Sequence, residues 1–293
     1  QEARGLWLGL LGVSIFALTL PMTRLAVGTE EAPQLPGLFI AVGRSVLAAA
    51  LSIAYLAFTR APWPSRQDWR ALAIVAGGVV FGFPILTSVA MRHVEAIHAS
   101  VIIGVMPLAT AVAGAWLNRQ RPAAGFWVCA VAGSVLVVTF AVLRSGTEGL
   151  SLHPADLLLL GAAACASIGY AWGARLSQRM RAEHVICWAL VLSLPLALPI
   201  AWATRPTVAV TSGAWWGFGY VAVFSMWLGF FAWYRGLATG GTVRVSQVQL
   251  VQPFISIAFA VPLLGESLDA VTLGFAAAVV ATVFVGRRMP VRR

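Results

Sequence analysis

Residues 243–265 read VRVSQVQLVQPFISIAFAVPLLG, with one charge near the start, Arg244, and none after it. A helix needs roughly 20 apolar residues to cross a hydrocarbon core about 30 Å thick, so this stretch predicts a membrane span. It also carries groups a plain anchor does not need: Ser246, Gln247, Gln249, Gln252, Pro253 and Ser256. Outward from it the apolar pattern recurs in both directions. Further spans are predicted over 5–27, 37–59, 70–92, 95–117, 124–143, 154–177, 185–203, 213–235 and 269–286, which makes ten. The expected fold class is an all-α integral membrane protein of ten transmembrane helices. Hydrophobic residues at 60% and charged residues at 10%, with a mean hydropathy of +0.86, agree with that reading and leave no room for a soluble catalytic domain. The first span is too long for a signal peptide and lacks a small-residue cleavage site, so it reads as structural.

The net charge of +10 comes from twenty Arg residues and no Lys. With the N-terminus in the cytoplasm, alternate loops place Arg4, Arg60, Arg66, Arg70, Arg119, Arg121, Arg175, Arg179, Arg181, Arg235, Arg244, Arg287, Arg288, Arg292 and Arg293 on the cytoplasmic side. Only Arg24, Arg44, Arg92, Arg144 and Arg205 fall to the other side. Fifteen against five is a positive-inside bias, and it places both termini in the cytoplasm. The basic charge is therefore an orientation signal and no nucleic-acid patch. Cys129, Cys165 and Cys187 lie within spans without disulfide or metal spacing, and read as buried packing.

Sliding the chain against itself by 146 residues sets Ser100 on Ser246, Pro107 on Pro253 and Leu117 on Leu263. The fifth and tenth spans correspond after a small gap: Gly125, Cys129 and Gly133 lie four apart, as Gly274, Ala278 and Thr282 do. The chain thus divides into a five-helix repeat over 1–146 and a second over 147–293. An odd number of spans per unit requires the second unit to sit inverted relative to the first. Inverted repeats recur in carriers, because halves related by an in-plane axis can expose one central site alternately.

With that architecture in view, particular pieces of the chain resemble EamA-type members of the drug/metabolite transporter superfamily. The second span reads GRSVLAAA around Arg44, like that family's Arg-then-small stretch, and the ninth ends LLGES, with Gly265 and Glu266 where the family commonly has Gly-Glu. The first half departs from this at the equivalent turn, where Asn118, Arg119 and Gln120 stand. The resemblance covers the whole chain and implies an exporter in a bacterial inner membrane. Within the family, the profile looks most like amino-acid and metabolite exporters, including the aromatic amino-acid type.

Every acidic residue (Glu2, Glu30, Glu31, Asp68, Glu95, Glu148, Asp156, Glu183, Glu266 and Asp269) falls in a loop or at a span end. A buried carboxylate usually marks a proton relay or cation site, so coupling through a mid-membrane acid is not expected; His98 is the nearest candidate for a proton-linked role. In the ninth span, residues 249, 252 and 256 share a face flanked by 246 and 253. An unpaired amide facing lipid costs several kcal/mol, so Ser246, Gln249 and Gln252 are candidate cavity-lining residues. Pro253 frees a carbonyl one turn earlier; it and Pro107 are the predicted kinks. Ser100, Ile103, Met106 and Thr110 would form the opposing wall.

Aromatic residues supply the second set. Tyr220, Phe224, Trp227, Phe231 and Tyr234 are spaced four, three, four and three apart, a continuous helical stripe in the eighth span. Trp215 and Trp216 read as interfacial anchors, whereas the mid-span Trp227 suits a platform for an aromatic body or an ammonium group. Ser167 and Tyr170 from the sixth span, and Phe81, Pro84 and Ser88 from the third, complete the expected wall. The arginines near span ends read as snorkelling to headgroups. The predicted cavity is aromatic on one side, amide-lined on the other and free of fixed charge, suited to a zwitterion with a bulky apolar side chain.

The expected function is transport of amino acids or similar small zwitterionic metabolites by alternating access. The alternatives are a proton-coupled exporter of other metabolites or drugs, and a non-transporting assembly protein. No HExxH or GxSxG sequence occurs, so enzymatic chemistry is not expected; nor is a cofactor or a metal. The expected partners are a small-molecule solute and the lipid bilayer, with the protein itself a monomer and, as the alternative, a dimer through the small-residue stripe Gly125, Cys129 and Gly133.

Overall fold

The computed structural model describes residues 1–28, 32–90, 102–145, 154–264 and 270–292, and the description below is of those residues. They form ten helical rods: α1 (Glu2–Val27), α2 (Gly37–Phe58), α3 (66–90), α4 (Met106–Leu117), α5 (Ala124–Ser145), α6 (Pro154–Leu176), α7 (Ala182–Ala203), α8 (Ser212–Gly240), α9 (242–264) and α10 (Ala270–Gly286). Seven of these helices, α1 to α3 and α5 to α8, are long and apolar enough to cross a membrane. The α4 and α10 rods are shorter apolar helices, and α9 is interrupted by a 3-10 stretch at Ser246–Val251. Leu117 and Ala124 are joined by a turn whose Arg121–Pro122 pairs antiparallel with Val291–Arg292.

Several ends differ from the hydropathy reading, each for a local reason. Rod α3 starts at Arg66 because Ser65 and Asp68 form a reciprocal capping box. Rod α7 starts at Ala182, three residues early, which draws Glu183 and His184 into the helix. Rod α1 breaks at Leu18. Pro21 has no N–H to offer the Ala17 carbonyl four residues back, and the Ser256 hydroxyl of α9 donates to that carbonyl instead at 2.9 Å.

Two rods carry a wide π-helical turn, Ala76–Gly82 in α3 and Val221–Leu228 in α8. These stretches stand about one repeat length apart in the sequence. The packing follows a similar order. Rod α1 lies along the later half of α8, and α3 along α6; α2 pairs with α7, α5 with α10, and α4 with α9; α4 also meets α6, as α9 meets α1. Between α1 and α8 the backbones nearly touch: a Cβ added at Gly236 would fall 2.6 Å from the Gly9 nitrogen, and one at Gly5 would strike Gly240.

The main core runs through α1 to α3 and α6 to α9, with Leu72, Ile186, Leu190, Trp233 and Tyr234 fully buried. The outside is apolar. Phe58, Trp116, Trp216 and Leu157 are among the most exposed side chains, as a lipid-facing surface requires. Exposed Trp7, Trp63 and Trp116 belong to one set of rod ends and Trp202 and Trp216 to the other, which is the distribution of interfacial aromatic belts.

Candidate functional site

The two predicted kinks, Pro107 and Pro253, belong to the paired rods α4 and α9. There Gln247 spans the gap: its Nε2 donates to the Pro107 carbonyl at 3.2 Å and to Ser246 Oγ at 3.3 Å. Ser246 in turn donates to the Val243 carbonyl. Gln247 is thus the amide that joins the two rods, whereas the sequence reading took its neighbours Ser246, Gln249 and Gln252 as cavity lining. Gln249 is 4% exposed, and neither of its amide atoms has a partner. Gln252 is half-buried where the 3-10 stretch returns to α-helix. With three residues per turn over Ser246–Val251, positions 246, 249 and 252 align more closely than an α-helix would set them.

On the other side of α4, Thr110 donates to the Met106 carbonyl at 2.9 Å and to Ser167 Oγ at 3.1 Å, and Ser167 reaches the same carbonyl at 3.4 Å. The predicted Met106, Thr110 and Ser167 therefore do come together, as a satisfied polar seam between α4 and α6. One turn on, Tyr170 is 7% exposed, its ring 6.0 Å from Phe230 and 5.5 Å from Trp233.

The aromatic stripe of α8 is divided. An α-helix would put all five rings in line, but the π turn at Val221–Leu228 winds more residues per turn and rotates the two ends apart. Tyr220 and Phe224 stack on each other, with Tyr220 OH donating to the Ile15 carbonyl and Phe224 exposed. Trp227 and Phe231 turn instead toward α2, where Tyr55 meets both, at 5.9 and 5.2 Å. Trp227 Nε1 points to Cys187 Sγ at 3.3 Å. Tyr234 is fully buried against Gly173, and its OH donates to the Gly169 carbonyl at 3.3 Å, so it packs α8 on α6. Phe81 packs in a separate cluster with Val42 and Ala197. His98, Ser100 and the side chain of Ser88 lie outside the described residues.

Two residues take a part that the sequence reading did not give them. Tyr55, the centre of the ring cluster, also meets His184 at 6.2 Å; its role depends on partners from α7 and α8, which spacing within α2 does not reveal. Arg44 requires a correction. Read from the sequence it snorkels from a span end, but in the structure it is 9% exposed, the eighth residue of α2, about 10 Å along the axis from the first. Its Nε has no hydrogen-bond partner, and the Tyr170 hydroxyl interacts with it electrostatically. The interior therefore holds a fixed positive charge, contrary to the uncharged cavity expected.

At the rod ends that charge bias assigns to the cytoplasm, Arg235 pairs with Glu183 at 3.2 Å and Arg244 with Glu2 at 3.0 Å. Nearby, a cavity of about 1430 Å3 opens between the starts of α1 and α9 and the ends of α4, α6 and α8, rimmed by Arg119, Arg121, Arg175 and Arg244. Among the described residues, no group of three His, Cys, Asp or Glu side chains could hold a metal ion, and the three cysteines are free.

Comparison with known proteins fits this arrangement. A solved crystal structure of a protein, 17% identical, superposes with a TM-score of 0.79 over 97% of this chain and 96% of that one, which is a likeness of fold. Two relatives from Bacillus subtilis (strain 168) are similar along most of their length. The uncharacterized transporter YdeK is 42% identical over 282 residues, 96% of each chain, and the uncharacterized transporter YyaM is 24% identical over 272 residues, 88% of this chain and 87% of its own. The sequence profile of one family matches twice, over 3–143 and again over 153–286. With that double match, a multi-pass helical fold and a 42% identical relative named as a transporter, the chain belongs to the EamA-like transporter family.

Proposed function

We propose that this chain is an alternating-access carrier built from ten spans, with residues 1–146 and 147–293 as inverted halves and both termini in the cytoplasm, in a bacterial inner membrane. The observation that carries the reading is the helix pairing. Exchange every rod for the one five places on, and α1–α8 becomes α6–α3, α4–α6 becomes α9–α1, while α2–α7, α4–α9 and α5–α10 map onto themselves. The two π turns, the two prolines and the double family match support the same exchange. A molecule with two equivalent ways of closing suits a carrier, which must expose one site to each side in turn.

The substrate class proposed is a small organic solute with an aromatic or bulky apolar body, amino acids being the first to try. Trp227, Phe231 and Tyr55 offer it a ring-lined wall, Tyr170 a second, and Gln249 an unengaged amide. The test is counterflow in proteoliposomes of the purified protein, preloaded with single amino acids and given labelled phenylalanine with and without a pH gradient. Accumulation above protein-free vesicles, independent of pH, is expected. If no amino acid supports accumulation, that substrate class is rejected. Gln252→Leu, which removes a half-buried amide, is expected to lower the rate without loss of folded protein.

A further inference from the structure

A buried guanidinium cannot discharge itself, because arginine stays protonated under any condition a cell meets. Leaving one unpaired in a low-dielectric interior is strongly unfavourable, and proteins that bury arginine ordinarily supply a carboxylate. Arg44 is nine-tenths buried, its Nε has no partner, and among the described residues no carboxylate forms an ion pair with it. Glu183 is taken up by Arg181 and Arg235.

The surroundings say what would complete the site. Tyr170, which interacts electrostatically with Arg44, is seated against Phe230 and Trp233. On α2 itself, Tyr55 follows Arg44 by eleven residues, three helical turns, and so shares its face. It leads to Trp227 and Phe231, roughly 16 Å farther along the axis. A cation is thus held beside the ring cluster of Tyr170, Phe230 and Trp233, with no carboxylate paired to it among the described residues.

We infer that Arg44 is the carboxylate receptor of the transport site, and that the solute is a carboxylate with an aromatic or bulky apolar body for which no ammonium group is required. The planar guanidinium fork matches a carboxylate in bidentate fashion. A monocarboxylate bound there leaves the interior neutral. A zwitterion leaves one uncompensated positive charge, and a free amine would set a second cation beside the first. The inference rests on the carrier reading above and narrows its substrate class.

Three probes share one phenyl body and differ only in the head: 3-phenylpropanoate, its neutral isostere 3-phenylpropanamide, and 2-phenylethylamine. Counterflow of labelled 3-phenylpropanoate into proteoliposomes is measured with each probe as competitor. The wild-type protein is expected to favour the carboxylate over the amide at least tenfold and to ignore the amine. In Arg44→Gln the ratio should fall to about one, and in Arg44→Lys it should stay well above one. A ratio is independent of how much protein folds, which separates loss of recognition from loss of structure. If wild-type protein exchanges amide and carboxylate equally, or if Arg44→Gln keeps the wild-type ratio, the carboxylate assignment is overturned while the carrier reading stands. If labelled 3-phenylpropanoate does not exchange while labelled phenylalanine does, the ammonium is required and the inference fails. If no labelled probe exchanges at all, the carrier reading for aromatic solutes falls, and the inference with it.

Discussion

Gln247 shows how much one side chain does when it serves backbone from another rod. Its Nε2 holds the Pro107 carbonyl, so Gln247→Leu removes a bond between the two rods, while that carbonyl keeps the helical N–H four residues on. The expected cost is about 1 kcal/mol, read as an earlier midpoint in a thermal or denaturant melt; an unchanged midpoint would mean water or another donor takes its place. Trp227→Ala is expected to slow transport of bulky solutes several-fold more than small ones, because it removes a wall shared with Tyr55 and Phe231. Equal losses across solute sizes would identify a packing defect. That polar and aromatic residues in α8 and α9 matter was legible from the sequence, since an unpaired amide or a mid-span Trp has few uses in lipid. Which amide bridges and which stays free was not legible, because that depends on α4 lying alongside. The burial of Arg44 was hidden for a related reason: eight residues into a helix is close enough to the end to snorkel, and only the neighbouring rods decide whether the side chain turns out or in.

At the scale of single elements, the π turns are what hydropathy does not disclose. AGGVVFG and VAVFSMWL read as ordinary apolar helix, yet the wide turn in α8 separates Tyr220 and Phe224 from Trp227 and Phe231. Its outer half packs on the later part of α1, and its inner half on the earlier part. Removing one residue from the wide turn would rotate one half against the other by about 100°. Deletion of Val223 is therefore expected to abolish monodisperse protein on size-exclusion chromatography, whereas Val223→Ala should leave the profile intact. A deletion variant that elutes like wild type would show that the π turn merely relaxes to α-helix. The spans themselves were legible because lipid demands long uncharged helices; their ends moved where capping, as at Ser65, and not hydropathy, set the first turn.

For the molecule as a whole, the proposed inversion makes a topological prediction. Reporters active only in the cytoplasm should work when fused to either terminus and fail when inserted within 146–150. Activity at one terminus alone would require an odd number of spans and dissolve the exchange of halves. The glycine seam between α1 and α8 carries a consequence of another kind. Gly5, Gly9, Gly236 and Gly240 leave no volume for even one methyl group, so almost any change there should impair the protein irrespective of what it carries. A saturation mutagenesis screen scored by growth would then return two intolerant bands, one at the seam and one around Arg44 and Trp227. Only the second should shift when the solute supplied to the cells is changed, so the contrast between two growth media, more than the depth of intolerance in either, would draw the outline of the binding site.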